Sequence, residues 1–150
     1  MPLPVLRVVR ERTADYDRRR AVSNVDDLAR AVRAVLADAD RETFVVLHLD
    51  TKHNVMSAEV VAVGTLSATL VHPREVFKGA ILANAARVAL GHNHPSGDPT
   101  PSPEDHALTR KLIEAGQILG VPVVDHVVVG DGTGRHVSIR EQRPSLEWAP

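Results

Sequence analysis

A chain of 150 residues, 43% hydrophobic and 25% charged, is one domain's worth of sequence with enough apolar surface to build a core. It has no cysteine, which excludes disulfide scaffolds, thiolate zinc ribbons and cysteine nucleophiles, and leaves imidazole and carboxylate to hold any transition metal; histidine occurs 8 times. A net charge of -1 and an aromatic content of 3% argue against a dedicated nucleic-acid binder, which carries a basic excess and stacking platforms.

Residues 3–12 alternate apolar and polar and predict a first strand, followed by a polar connection over 13–20, so that 1–22 reads as an N-terminal strand and connection. Arg7, Arg10, Arg12 and Arg18 to Arg20 make this start arginine-rich, but Glu11, Asp15 and Asp17 dilute it, and most such runs are solvated faces. Ser23 or Asn24 caps a helix in which Val25, Leu28, Ala31, Val32, Val35 and Leu36 recur at helical spacing, fading near Asp38 to Arg41. The β-branched run over 44–50 predicts a central strand, followed by a turn around Lys52 to Asn54 and a second strand from Glu59 to Gly64. A short third strand over Thr69 to Val71 would complete an antiparallel meander.

Pro73 suits the first position of an amphipathic helix, because its missing N–H is one of the groups a helix start leaves unpaired. Arg87 to Gly91 reads as a buried strand, and a loop rich in Pro, Gly and Ser follows it. The segment from Glu104 predicts a further clear helix, closed by Gly120. Residues 121–130 form the last strong strand, Asp131 to Gly134 a hairpin turn and 136–139 a closing strand; 141–150 reads as a loose tail. Strands and helices intermix without strict alternation, which predicts a single α/β domain over 1–150, α+β-like, with a mixed, largely antiparallel sheet flanked by helices. No apolar run approaches the roughly 20 residues a membrane helix needs, and the start lacks the apolar stretch of a signal peptide. The expectation is a cytoplasmic protein without a membrane partner.

The chemistry concentrates between Gly91 and Asp105. Side chains i and i+2 of an extended segment point the same way, so His92 and His94 can address one ion. With Asp105 in the first turn of the next helix they form a two-His-plus-carboxylate set, the open pattern of a catalytic zinc rather than the closed one of a structural zinc. Pro95, Pro99, Pro101 and Pro103 leave the intervening loop little freedom to lose on folding. Ser102 and Asp105 also have a purely structural reading, since S-x-x-D ahead of a helix with Pro103 at its first position makes a capping box. Capping and catalysis are compatible, because a hydroxyl that accepts a bond from a helix N–H can still donate one.

His92-x-His94, seven residues, then Ser102-x-x-Asp105 resembles the JAMM (MPN+) metalloprotease motif, and the surrounding sequence from about Arg41 to Ile139 looks like the JAB domain of RadC-type proteins. The resemblance implies a JAB/MPN, cytidine-deaminase-like architecture and one catalytic zinc per chain held by His92, His94 and Asp105. It implies that Ser102 helps stabilise the oxyanion. It also implies a glutamate at the start of an early central strand as general base; by position that is Glu42. Glu59 and Glu75 compete for that role, although Glu75 suits the dipole of its own helix start. Asp98 competes with Asp105 but sits in a tight turn where Asp is common for local reasons. His106 should point about 100° away from Asp105 around the helix. His126 reads as a strand residue or as support behind a ligand.

The implied activity is zinc-dependent hydrolysis of peptide or isopeptide bonds, with a peptide or protein substrate. A metallo-β-lactamase-like hydrolase also begins with H-x-H but needs Asp-His soon after, where Pro95 and Ser96 stand here. A DNA-repair accessory role is the alternative from another class. The helix-hairpin-helix-like segment that precedes the JAB domain in longer relatives is not in these residues, and the charge does not support nucleic acid as a partner. An inactive scaffold of the same family would have lost the ligands. Asn93 stands between the histidines where eukaryotic deubiquitinases have Ser or Thr, so ubiquitin-chain cleavage is not implied.

Overall fold

The computed structural model describes residues 1–5, 7, 16, 21–64 and 71–150. The strand expected over 3–12 and the short one over 69–71 fall largely outside the described residues. The first described helix, α1 (Val25–Val35), starts where expected: the Asn24 side chain accepts the Asp27 N–H, and Leu28, Ala29, Ala31 and Val32 form its buried stripe. Next come β1 (Thr43–Leu49) and β2 (Val55–Val63), an antiparallel pair. β2 begins four residues earlier than the sequence suggested. Every residue of β1 is buried, whereas β2 alternates toward solvent at the sheet edge.

α2 (Pro73–Leu82) has Pro73 at its start. β3 (Arg87–His94) continues past Gly91 to His94, so both histidines are strand residues. α3 (Pro103–Leu119) ends at Gly120, in the left-handed conformation at φ 72°. β4 (Val123–Gly130), β5 (His136–Ser138) and α4 (Ile139–Gln142) complete the chain. The sheet order is β2-β1-β3-β4-β5; only β3 and β4 run parallel, joined by α3. This is the mixed, largely antiparallel α/β architecture that the sequence implied.

Strand alternation sends the two faces of the sheet to two cores. On one face Phe44, Val46, Val88 and Leu90 meet Val76, Phe77 and Ala80 of α2 and Leu108, Leu112 and Ile113 of α3. On the other, Val45, Leu47, Leu49, Ala89, Val127 and Val129 meet α1 through Leu28, Ala31 and Val32. The approach of α1 depends on Gly91: a Cβ there would lie 2.4 Å from Val32 Cγ2.

The C-terminal residues are not the loose tail expected from their composition. α4 runs into their first two residues, Leu146 and Trp148 pack on the α2/α3 core, and the Ala149 N–H bonds to the Val123 carbonyl at 2.8 Å. Buried apolar contacts, which polar flanking residues concealed, hold the segment down. Among the described residues no helix is long and apolar enough to cross a membrane.

Candidate metal centre

Antiparallel pairing of β1 with β3 sets Phe44 opposite His92, so the residue just before β1, Glu42, arrives beside the end of β3. The chain then leaves β3 through the Pro-rich loop and enters α3, whose first turn carries Asp105. Glu42, remote in sequence, thus joins two segments linked by that loop, where a parallel strand ends and a helix begins, a common location for ligand sites in α/β sheets. One ligand atom from each of Glu42, His92, His94 and Asp105 can be chosen such that all lie within 4.8 Å of one another, a group that could hold a metal ion.

The two imidazole nitrogens and the Asp105 carboxylate are closer still. His92 Nε2 stands 3.2 Å from His94 Nε2 and 3.4 Å from Asp105 Oδ1, and His94 Nε2 is 3.2 Å from Asp105 Oδ2. His92 is fully buried, while His94, Glu42 and Ser102 are partly exposed, so the group opens to solvent on one side. Two imidazole nitrogens and a carboxylate at such distances gather electron density on one point, an arrangement that a cation relieves.

His94 is held by the backbone. Its Nδ1 is 2.9 Å from the Asp98 carbonyl, which can only accept, so Nδ1 carries the proton and Nε2 presents its lone pair. That carbonyl belongs to a loop seated on β4: the Gly97 oxygen would lie 2.1 Å from any Cβ at Gly130, and the Arg135 guanidinium donates to it at 3.2 Å. The Asp98 side chain is engaged in its own turn by Thr100 N–H and Oγ1–H, as turn chemistry suggested.

Asp105 serves two purposes with two oxygens. Oδ2 accepts the Ser102 N–H at 2.9 Å and Oδ1 faces His92, while Ser102 Oγ accepts the Asp105 N–H at 3.1 Å. The capping box is therefore formed, and the Ser102 hydroxyl proton remains free to donate toward the open side. Burial raises the Asp105 carboxyl, against which the Ser102 N–H bonded to Oδ2 favours the ionised form.

Two neighbours gain a definite role from the structure. Asn93, fully buried between the histidines, faces the other way and grips the backbone around Glu42. Its Oδ1 accepts the Thr43 N–H at 2.7 Å, and its Nδ2 donates to the Arg41 carbonyl at 3.2 Å and to Asp131 Oδ2 at 2.7 Å. The Glu42 carbonyl in turn accepts the Gly64 N–H at 2.7 Å. His126, which the sequence reads as a strand residue or as support behind a ligand, lies directly behind one: its Nε2 is 2.7 Å from His92 Nδ1 and its Nδ1 is 2.6 Å from Thr109 Oγ1. A histidine in an otherwise apolar strand was the available signal. Burial keeps His126 neutral far below the ordinary imidazole range. Phe44 walls the pair, stacked on His92 and edge-on to His126.

The competing acids lie elsewhere. Glu59 packs over Gly79 of α2, where burial raises its carboxyl, and Glu75 pairs with Lys78. Asp125 accepts bonds from the His126 N–H and the Ser138 hydroxyl, stapling β4 to β5. His106 is outside the donor group.

Fold and site together define an α/β domain with a histidine–carboxylate group suited to a metal ion. The chain belongs to the RadC-like JAB domain family, whose profile matches residues 22–144. It is 47% identical over 126 residues to a UPF0758 protein of Methanococcoides burtonii, covering 84% of this chain and 54% of that protein. With UPF0758 proteins of Desulforamulus reducens and Rubrobacter xylanophilus it shares 53% identity over 106 and 114 residues, covering 71% and 76% of this chain and 47% and 50% of theirs. The chain thus spans about half the length of the curated relatives it matches.

Proposed function

We propose that this domain is a zinc-dependent hydrolase of peptide or isopeptide bonds. The observation that carries the reading is the spacing of His92 Nε2, His94 Nε2 and the Asp105 carboxylate, 3.2 to 3.4 Å apart. Ligand atoms about 2.0–2.1 Å from a tetrahedral zinc stand about 3.3–3.4 Å from one another; the two imidazole nitrogens match that spacing, and each has one Asp105 oxygen at it, Oδ1 for His92 and Oδ2 for His94. Three protein ligands and an open side are the catalytic rather than the structural pattern.

A zinc held by His92, His94 and Asp105 would supply a Lewis acid that makes water acidic near neutral pH and polarises a carbonyl oxygen. Glu42, within 4.8 Å of the ligand atoms and held from both sides by Asn93, accepts the proton of the attacking water. The water oxygen bonds to the carbonyl carbon, and the Ser102 hydroxyl donates to the oxygen on which negative charge develops. As the C–N bond breaks, Glu42 returns its proton to the departing amine. The exposed side of His94 and Glu42 is where an extended peptide would enter.

The test is zinc per chain in protein purified without added metal, beside His92→Ala and Asp105→Ala, followed by digestion of a peptide library by the parent and Glu42→Gln. We expect one zinc in the parent and almost none in the two ligand variants. Glu42→Gln keeps its zinc and loses about 10²- to 10⁴-fold in cleavage rate. A parent without zinc sinks the reading, and equal cleavage by the parent and Glu42→Gln removes Glu42 as the base.

A further inference from the structure

Behind His92 a file of hydrogen bonds runs back to another member of the donor set. Thr109 Oγ1 is 2.7 Å from the Asp105 carbonyl oxygen and 2.6 Å from His126 Nδ1, and His126 Nε2 is 2.7 Å from His92 Nδ1. Thr109, His126 and His92 are all completely buried, so solvent cannot supply a substitute partner. The positions lie on three elements, and the file closes a ring whose two ends, His92 and Asp105, face each other across the site.

Proton placement in this file follows from one fixed end. A carbonyl only accepts, so the contact with Asp105 commits the single hydroxyl proton of Thr109. Thr109 Oγ1 must then accept from His126, which places that ring's proton on Nδ1. His126 is completely buried and its two nitrogens face only a hydroxyl and another imidazole, so it carries that one proton and accepts at Nε2, and the proton in its contact with His92 belongs to His92 Nδ1. His92 is left with its lone pair on Nε2, the nitrogen 3.2 Å from His94 Nε2. The reverse order, with Thr109 donating to His126, would put a proton on His92 Nε2, the atom a metal needs.

We propose that Thr109 and His126 are positioning residues that hold His92 as its Nδ1–H tautomer and aim its Nε2 lone pair at the metal. This rests on the metal reading of the site, though not on hydrolysis. His94 reaches the same tautomer through the backbone carbonyl of Asp98, whereas His92 relies on two side chains and is therefore the ligand that a substitution outside the donor set can misdirect. Fixing tautomer and ring orientation from behind is how outer partners raise metal affinity, and their loss typically weakens binding about 10- to 100-fold.

The test compares zinc affinity, by competition with a chromophoric chelator, for the parent, Thr109→Val and Thr109→Ser. Imidazole ¹⁵N shifts of the metal-free parent are recorded alongside. We expect Nδ1–H signatures for both His92 and His126, binding about 10- to 100-fold weaker in Thr109→Val, and recovery in Thr109→Ser. Thr109→Val is nearly isosteric, so a general packing effect would not be repaired by serine alone. An Nε2–H signature at His126 in the parent overturns the inference whatever the variants do. Tight zinc binding by the parent with equal affinity in Thr109→Val overturns it too, leaving the metal site standing. A parent that binds no zinc removes both.

Discussion

Asn93 accepts the Thr43 N–H at 2.7 Å, so the residue between the two histidines holds the strand that follows Glu42. The same carboxamide donates to the Arg41 carbonyl and to Asp131, which fixes the side chain in one orientation. Asn93→Ala leaves these buried groups unpaired and should lower stability by about 2–3 kcal/mol in urea unfolding. Zinc content should not change, because Asn93 touches none of the donor atoms. Loss of zinc in this variant would show that the clamp also shapes the donor set.

Metal and cap can be separated at Asp105. Asp105→Asn keeps an acceptor for the Ser102 N–H, whereas Asp105→Ala does not. Zinc affinity should collapse in both. In the presence of a chelator, Asp105→Ala should be less stable than Asp105→Asn by about 1 kcal/mol. Equal unfolding midpoints under chelation would mean that the cap adds nothing to the folded state.

His48 makes the metal-free protein acid-sensitive. Its Nδ1 contacts Ser57 Oγ at 2.7 Å, while its Nε2 is buried with no hydrogen-bond partner among the described residues, and burial pushes its pKa down to about 4. In the unfolded chain it titrates near 6.5. Between these values the unfolded state binds a proton that the folded state does not, so stability falls as pH drops from about 6.5 to 4, by roughly 3 kcal/mol in all. Above pH 6.5 the contribution is flat. Unfolding of chelated parent and His48→Leu from pH 7.5 to 4.5 should give a shallower slope for the variant; parallel curves would clear His48.

Gly91 and Val32 should be coupled. Gly91→Ala places a methyl group 2.4 Å from Val32 Cγ2 and should destabilise by about 1–3 kcal/mol. Val32→Ala opens room at that point, so the double variant should lose about 1 kcal/mol less than the two single losses added together. Additive losses would show that α1 shifts rather than resists.

The periodicities of α1, α2 and α3 and the β-branched run of β1 made most of the fold legible in the sequence. His92, His94, Ser102 and Asp105 were legible because they lie close in the chain, at spacings set by strand alternation and one capping turn. Glu42 was reached only through family resemblance, since its neighbourhood depends on the antiparallel register of β1 against β3. His126 and Thr109 depend on the parallel register of β4 and on a helix face, relations that no local spacing encodes. The C-terminal segment was misread for the opposite reason. Its few apolar residues, Leu146, Trp148 and Ala149, are spaced without period, and only the core they meet shows what they do.

The seat of the Gly97 loop on Gly130 has a consequence for how a cation would arrive. Pro99 and Pro101 are buried, the Gly97 oxygen has no room to move toward β4, and the His94 carbonyl is tied to both Gly97 N–H and Asp131 N–H at 3.1 Å. The donors are therefore braced by packing of the protein itself, so capture of an ion should neither fold a segment nor cover new apolar surface. The heat of binding should be nearly independent of temperature, unlike that of metal sites whose ion organises the chain around it.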